Sequence, residues 1–182
     1  QIFAGSGVRY EHKTGGNAEG LAKSTELMRE LDEGLVFTNL VDFDMLWGHR
    51  NDPAGFAAAL EEVDAAVPGL IASCGEKDMM IITADHGCDP VTTGSDHTRE
   101  YIPLLARLGS EVFSPGGSMF ETASTAEGGE GGVVGRQPRD QPYNGEFADI
   151  GATVFRFFTG PKLEIAEALR LAGRPFLVTG KR

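Results

Sequence analysis

Aspartate and histidine gather in three short stretches of this chain. The first is Val41-Asp42-Phe43-Asp44-Met45-Leu46-Trp47-Gly48-His49, the second Thr83-Ala84-Asp85-His86-Gly87, and the third Asp96-His97-Thr98-Arg99-Glu100. Three of the four histidines fall here, each close to an aspartate. Imidazole nitrogens and carboxylate oxygens are ligands for borderline divalent ions such as Mn²⁺, Zn²⁺ or Fe²⁺. Asp44, His49, Asp85, His86 and His97 are more donors than one ordinary mononuclear site needs. Such a set implies two metals, and two-metal sites perform phosphoryl or hydrolytic chemistry. Each pair alone has an ordinary structural use, as a cap, a hydrogen-bonding group or a surface histidine. Their repeated placement at loop starts is what favours ligation.

Elements of the right kind surround them. Residues 35–40, Leu-Val-Phe-Thr-Asn-Leu, read as a buried parallel strand ending just before Asp44. Residues 78–83 read as a second, adjacent strand ending at Asp85. Asn17 is placed to cap a helix running to about Leu31. Pro53 suits a helix start, and Phe56, Leu60, Val63, Val67, Leu70 and Ile71 form one apolar stripe. Pro68 should kink or divide that helix. Residues 101–106 give a third strand, at an edge or bulge because of Pro103. Residues 147–158 return to helix with Phe147, Ile150, Val154 and Phe158 on one face; a short helix at 163–171 and a strand at 176–178 follow. Strand, helix, strand with long crossovers predicts an α/β fold with a mainly parallel sheet. Ligands in such sheets collect at the carboxyl ends of strands, where these aspartates and histidines fall.

Residues 111–145 contrast with the rest. Paired glycines at 116–117, 128–129 and 131–132 predict a flexible insertion within one domain spanning 1–182. The formal charge of -11 disfavours a nucleic-acid partner, which needs a basic face. The longest apolar runs are too short to span a bilayer, and no signal peptide opens the sequence. Two cysteines, Cys74 and Cys88, have no metal-ligand spacing and suit a reducing, cytoplasmic compartment. The opening Gln1-Ile2-Phe3 lacks a methionine and reads as the middle of a longer protein.

The longer strings are more specific than the ligand types. Phe37-Thr38-Asn39-Leu40-Val41-Asp42-Phe43-Asp44-Met45-Leu46-Trp47-Gly48-His49-Arg50 resembles phosphopentomutase. So do Ile82-Thr83-Ala84-Asp85-His86-Gly87-Cys88-Asp89-Pro90, Asp96-His97-Thr98-Arg99-Glu100-Tyr101-Ile102-Pro103-Leu104-Leu105 and Phe147-Ala148-Asp149-Ile150-Gly151-Ala152-Thr153. The ending Gly173-Arg174-Pro175-Phe176-Leu177 is similar as well. The resemblance covers nearly everything but the glycine-rich insertion and corresponds to the C-terminal half of that family. The Asp-His-Gly motif alone is shared across the alkaline phosphatase superfamily.

That resemblance implies a three-layer α/β core fragment and two Mn²⁺ per complete active site. Asp44, His49 and His97 would ligate one ion; Asp85 and His86 would ligate the other, with an aspartate from the N-terminal half. A threonine nucleophile from that half would carry the phosphoryl group, so no catalytic nucleophile is assigned within this chain. The cap domain that recognises much of the sugar phosphate would also be supplied from outside it. The implied reaction interconverts α-D-ribose (or 2-deoxyribose) 1-phosphate and the 5-phosphate through a sugar bisphosphate, and the fragment alone is expected to be inactive. Alternatives are a cofactor-independent phosphoglycerate mutase, another phosphatase of the superfamily, or a non-catalytic metal-binding domain. Cys88 stands where the family has asparagine; as a thiolate it would favour Zn²⁺, and as a thiol it is a small filler. Trp47 stands where tyrosine is usual, and packing accounts for that. Arg50 and Arg99 flank the candidate ligands and suit either phosphate binding or local ion pairs.

Overall fold

The computed structural model describes residues 3, 6–100, 102–113 and 147–159. They fall in two compact units, one drawn from Gln1–Gly75 and His86–Tyr101, the other from Glu76–Asp85 and Ile102–Arg182. Among the described residues no helix is long and apolar enough to cross a membrane.

The first unit is built on two helices, α1 (Asn17–Glu30) and α2 (Pro53–Ser73). Asn17 is the first helical residue of α1 rather than its cap. The cap arrives from far along the chain: Asn17 N donates to Asp42 Oδ2 at 2.7 Å, and Asp42 N donates to Asn17 Oδ1 at 3.2 Å. A carboxylate is favoured there because the first turn leaves N–H groups unpaired and carries the positive end of the helix dipole. Glu19 Oε2 also reaches back to accept from Gly15 N at 2.6 Å.

Asp52 caps α2 by accepting from Gly55 N at 2.9 Å, and Pro53 occupies the first turn as expected. The helix runs undivided through Pro68. It packs against α1, and Arg29 Nε donates to Ser73 Oγ at 3.1 Å where the two helices end. Ala59 and Leu70 are buried, with Phe56, Val63 and Val67 half-buried on the same row. Leu60 and Ile71, expected on that stripe, are exposed, because the packed row is narrower than the apolar one.

Residues 35–40 do not form the expected strand. They have no ladder partner among the described residues, and Leu35 and Phe37 are 60% and 58% exposed. An apolar run becomes a strand only when a neighbour takes its hydrogen bonds. This run is held instead by side chains: Ser24 and Thr38 share a hydroxyl hydrogen bond, and Gly20 leaves room for Thr38 and Leu40 over α1. A Cβ at Gly20 would stand 3.4 Å from both side chains.

The second unit holds a sheet in the order β1 (Met79–Thr83), β2 (Leu104–Leu108), β3 (Glu111–Phe113), with every pairing antiparallel. Met79 lies opposite Leu108 and Thr83 opposite Leu104. A mainly parallel sheet was expected here. Parallel neighbours need a long crossover, usually helical, and the described part of the connection from β1 to β2 contains no helix. Gly109, at φ 56, opens the two-residue turn to β3, a position where positive φ favours glycine. Ala106 is buried at the centre of the sheet, with Met79, Ile81, Leu104 and Ile150 against it. Ile150 comes from α3 (Phe147–Thr159). On that helix Thr153 is fully buried, its Oγ1 donating to Asp149 O at 2.7 Å, while Phe158 is exposed. Glu111–Phe113, the first residues of the expected insertion, form β3; the remainder, 114–145, lies outside the described residues, as do the elements expected at 163–171 and 176–178.

Candidate metal centre

Asp44 sits on a wide turn, Phe43–Gly48, that follows a π-helical path. His49 N donates to Asp44 O and Asp52 N donates to Trp47 O, both at 3.0 Å and both across five residues. Such turns recur at functional sites because they re-aim side chains that an α-helix would spread along its surface. Phe43 anchors the turn by edge contacts to Trp47 and to Phe56 of α2, with ring centroids 6.1 and 5.2 Å apart. Gly48 is buried with Cys88 Sγ packed directly onto it, and a Cβ there would also stand 2.9 Å from Phe43 O. Only glycine fits.

His86 and His97 are brought together by a short backbone bridge. Gly87 pairs antiparallel with Thr98, whose N–H donates to Gly87 O at 3.0 Å. Thr98 Oγ1 accepts from Asp89 N at 2.8 Å. A side chain on Gly87 would meet Thr98 O at 2.5 Å, so the bridge depends on glycine. The two imidazoles then stack with centroids 3.6 Å apart and planes 19° apart, and His49 lies 4.9 Å from His97 in the same column.

All three rings aim Nε2 at one oxygen. Asp44 Oδ1 lies 3.1 Å from His97 Nε2, 3.2 Å from His49 Nε2 and 4.0 Å from His86 Nε2. One donor atom each from Asp44, His86 and His97 fits within a 4.8 Å group. Asp44 and the three rings keep between 30% and 48% of their side-chain surface, so the cluster is open to solvent.

The far side of two rings tests whether a metal fits. His49 Nδ1 contacts Ser95 O, and His86 Nδ1 contacts Gly87 O at 3.2 Å. A carbonyl oxygen only accepts, so each Nδ1 carries the hydrogen. In a neutral ring Nε2 is then a lone pair, here facing a carboxylate. Lone pair against anion is repulsive unless a cation lies between them. His97 Nε2 lies at hydrogen-bond distance from the same oxygen, 3.1 Å. A divalent ion would remove the repulsion at His49 and His86, and an Nδ1–H held by a carbonyl is the usual outer support of a metal-bound imidazole. The donor set therefore fits a metal.

The remaining residues divide by role. Asp85 is exposed, closes the stretch of the sheet unit after β1, and directly precedes His86 in the chain. Asp89 is used locally: its carboxylate accepts from Val91 N at 3.0 Å and Thr92 Oγ1 at 2.8 Å. Arg50 and Arg99 are exposed. Burial pushes the Cys88 thiol above its ordinary range, with the Asp44 carboxylate adding to the effect and Glu100 and Asp89 following. The thiol form is thus favoured, and its sulfur fills the space over Gly48. Sequence reasoning had not singled out three contributors: Asp42 as the cap of α1, Ser95 through its carbonyl, and Thr98 as the bridge partner. Only Asp42 left a legible signal, as a second carboxylate two residues before Asp44; the Ser95 contact is made by backbone and is invisible in residue types.

Comparison with known proteins agrees with this chemistry. A phosphopentomutase of Anaeromyxobacter sp. (strain K) is 46% identical over 157 residues, covering 86% of this chain and 34% of the relative. The phosphopentomutase of Caldanaerobacter subterraneus subsp. tengcongensis is 44% identical over 161 residues, covering 88% of this chain and 35% of its own. That of Syntrophotalea carbinolica reaches 57% over 104 residues, or 57% of this chain and 26% of the relative. The chain thus spans about a third of the length of the curated relatives it matches most fully. The model of the metalloenzyme superfamily matches residues 1–162, and the chain belongs to that superfamily.

Proposed function

We propose that this chain is the metal-binding part of a phosphopentomutase. The observation that carries the reading is the convergence of three imidazole Nε2 atoms on Asp44 Oδ1 in a chain 46% identical to a phosphopentomutase. In the reading, Asp44, His49 and His97 hold one ion, and Asp85 and His86 contribute to a second. Mn²⁺ is the metal that the resemblance to phosphopentomutase implies, and the imidazole and carboxylate donors would accept it. When bound, paired metals neutralise phosphoryl oxygens and stabilise charge on the attacking and leaving oxygens.

The chain's own residues do the positioning. Ser95 O and Gly87 O fix the orientation of His49 and His86, so no reorganisation is needed as charge develops. The open face of the cluster gives a phosphorylated sugar room to approach. The substrate is α-D-ribose or 2-deoxyribose 1-phosphate and the product the 5-phosphate. The phosphoryl group passes through a phosphothreonine and a sugar bisphosphate. The threonine, a further aspartate ligand and a sugar-recognising cap lie outside the chain, which would belong to the parallel three-layer core of the whole enzyme in the cytoplasm.

The test is a paired assay of this chain and of the protein extended to the full length of its relatives, with ribose 5-phosphate and Mn²⁺. The extended protein should form ribose 1-phosphate, and the chain alone should not. Phosphate release without isomerisation by the extended protein would identify a phosphatase instead. Mutase turnover by the chain alone would show that the nucleophile lies within it.

A further inference from the structure

Asn51 follows the ligand turn by two residues and takes the left-handed backbone conformation, at φ 51. It is the one described non-glycine residue to do so. Asparagine tolerates this region better than most side chains, though still at a cost relative to glycine. Its side chain has a definite task there. Nδ2 donates to Thr92 O at 2.9 Å and to Pro90 O at 3.3 Å, across about forty residues of chain. Two carbonyl acceptors require the NH₂ end of the amide on that side.

The loop it grips is the one between the two stacked histidines. Residues 90–95 connect Asp89 to Asp96, with His86 before them and His97 after. The same loop supplies Ser95 O to His49 Nδ1. His49 and Asn51 thus attach the end of the ligand turn to the loop at two points, one on each half of it. Neighbouring polar groups in the loop are spent internally, with the Asp89 carboxylate on Val91 N and Thr92 Oγ1. Asn51 N also donates to Gly48 O at 3.1 Å, tying its backbone to the buried glycine of the turn.

We infer that Asn51 is a positioning residue of the metal centre: by clamping Pro90 O and Thr92 O it holds the loop that orients His49 and spaces His97 against His86. The inference rests on the metal-centre reading above. It assigns to one side chain two separable contributions, the left-handed backbone and the amide clamp. Glycine at 51 keeps the first and removes the second. Aspartate keeps the size and the local turn tendency but presents acceptors to two carbonyl oxygens, which repel them.

The experiment compares wild type, Asn51→Gly and Asn51→Asp by calorimetric titration with Mn²⁺ and, in metal-free protein, by amide hydrogen exchange at Thr98. Loss of an outer support to a metal ligand lowers affinity by about 10- to 100-fold. Both variants should show that loss, with Asn51→Asp at least as severe. Thr98 N–H, which bonds Gly87 O, should exchange faster in both while amides of α2 keep their protection. Retained α2 protection separates loosening of the loop from general unfolding. Wild-type affinity and wild-type Thr98 protection in Asn51→Gly would overturn the clamp. If wild type itself takes up no Mn²⁺, the metal reading fails instead, and Thr98 exchange in the metal-free variants still decides the clamp.

Discussion

A single carboxylate oxygen with three imidazole Nε2 atoms turned towards it is a donor set that suits a divalent cation. Asp44 Oδ1 is within 3.2 Å of the Nε2 atoms of His49 and His97; the Nδ1 atoms of His49 and His86 are engaged by carbonyls, which leaves the Nε2 of each neutral ring as a lone pair on the Asp44 side. This is the residue-scale reason for reading the cluster as a metal centre. Beside it, Cys88 behaves as filler. Burial, then the charge of Asp44, hold its thiol above the ordinary range. In metal-free protein its alkylation should therefore begin at higher pH than that of free cysteine. The sign is fixed by linkage: the folded state binds this proton more tightly than the unfolded chain. The associated stability is present below the unfolded thiol range and is lost as pH rises through the folded one. Rates of iodoacetamide labelling against pH, read by mass spectrometry at Cys88, check this. A profile displaced below that of free cysteine would mean an activated thiolate and reopen soft-metal ligation. The residue types of Asp44, His49, His86 and His97, which the structure brings together, were legible because imidazole and carboxylate have few rivals as ligands; Asp85 is not among them. The orienting groups were not legible, because Ser95 and Gly87 act through carbonyls that every residue possesses.

At the scale of elements, the site depends on a turn fixed at both ends. Asp42 ties its start to the N-terminus of α1, and Asp52 begins α2 at its other end. Asp42→Ala should cost about 1 kcal/mol of stability, the usual value for losing a helix cap. Urea denaturation checks it, and an unchanged midpoint would show that water replaces the carboxylate without loss. The helices were readable from Pro53 and the three-to-four spacing of apolar side chains, while the cap expected at Asn17 is supplied instead by Asp42. The limits of that reading are specific. Pro68 does not divide α2, and Leu60 and Ile71 sit outside the packed row. Residues 35–40 have the composition of a buried strand, yet no neighbour takes their backbone hydrogen bonds among the described residues. Composition reports what a segment would do with a partner, not whether the partner is there. The hairpin of β2 and β3 had a readable signal in Gly109-Ser110 between apolar runs, and the third expected strand is found three residues later than its expected start, at Leu104–Leu108.

For the molecule as a whole, superfamily membership and similarity to phosphopentomutases agree with the donor geometry, and the net charge of -11 suits a protein that binds divalent cations. The long motif strings carried the family in sequence because they combine ligands, glycines and strand-like runs in one order. Pairing direction was not carried, since it depends on which strands meet. The central claim is that the Asp44 cluster holds metal through imidazole nitrogen. The most direct measurement is a Co²⁺ titration of wild type, Asp44→Asn and His97→Ala, followed by visible absorption and by histidine nitrogen chemical shifts. Wild type should bind with shifted Nε2 resonances for His49, His86 and His97. Asp44→Asn and His97→Ala should each weaken that binding by more than the about 10- to 100-fold typical of an outer support. Binding that is absent in wild type, or that survives both substitutions unchanged, would contradict the account.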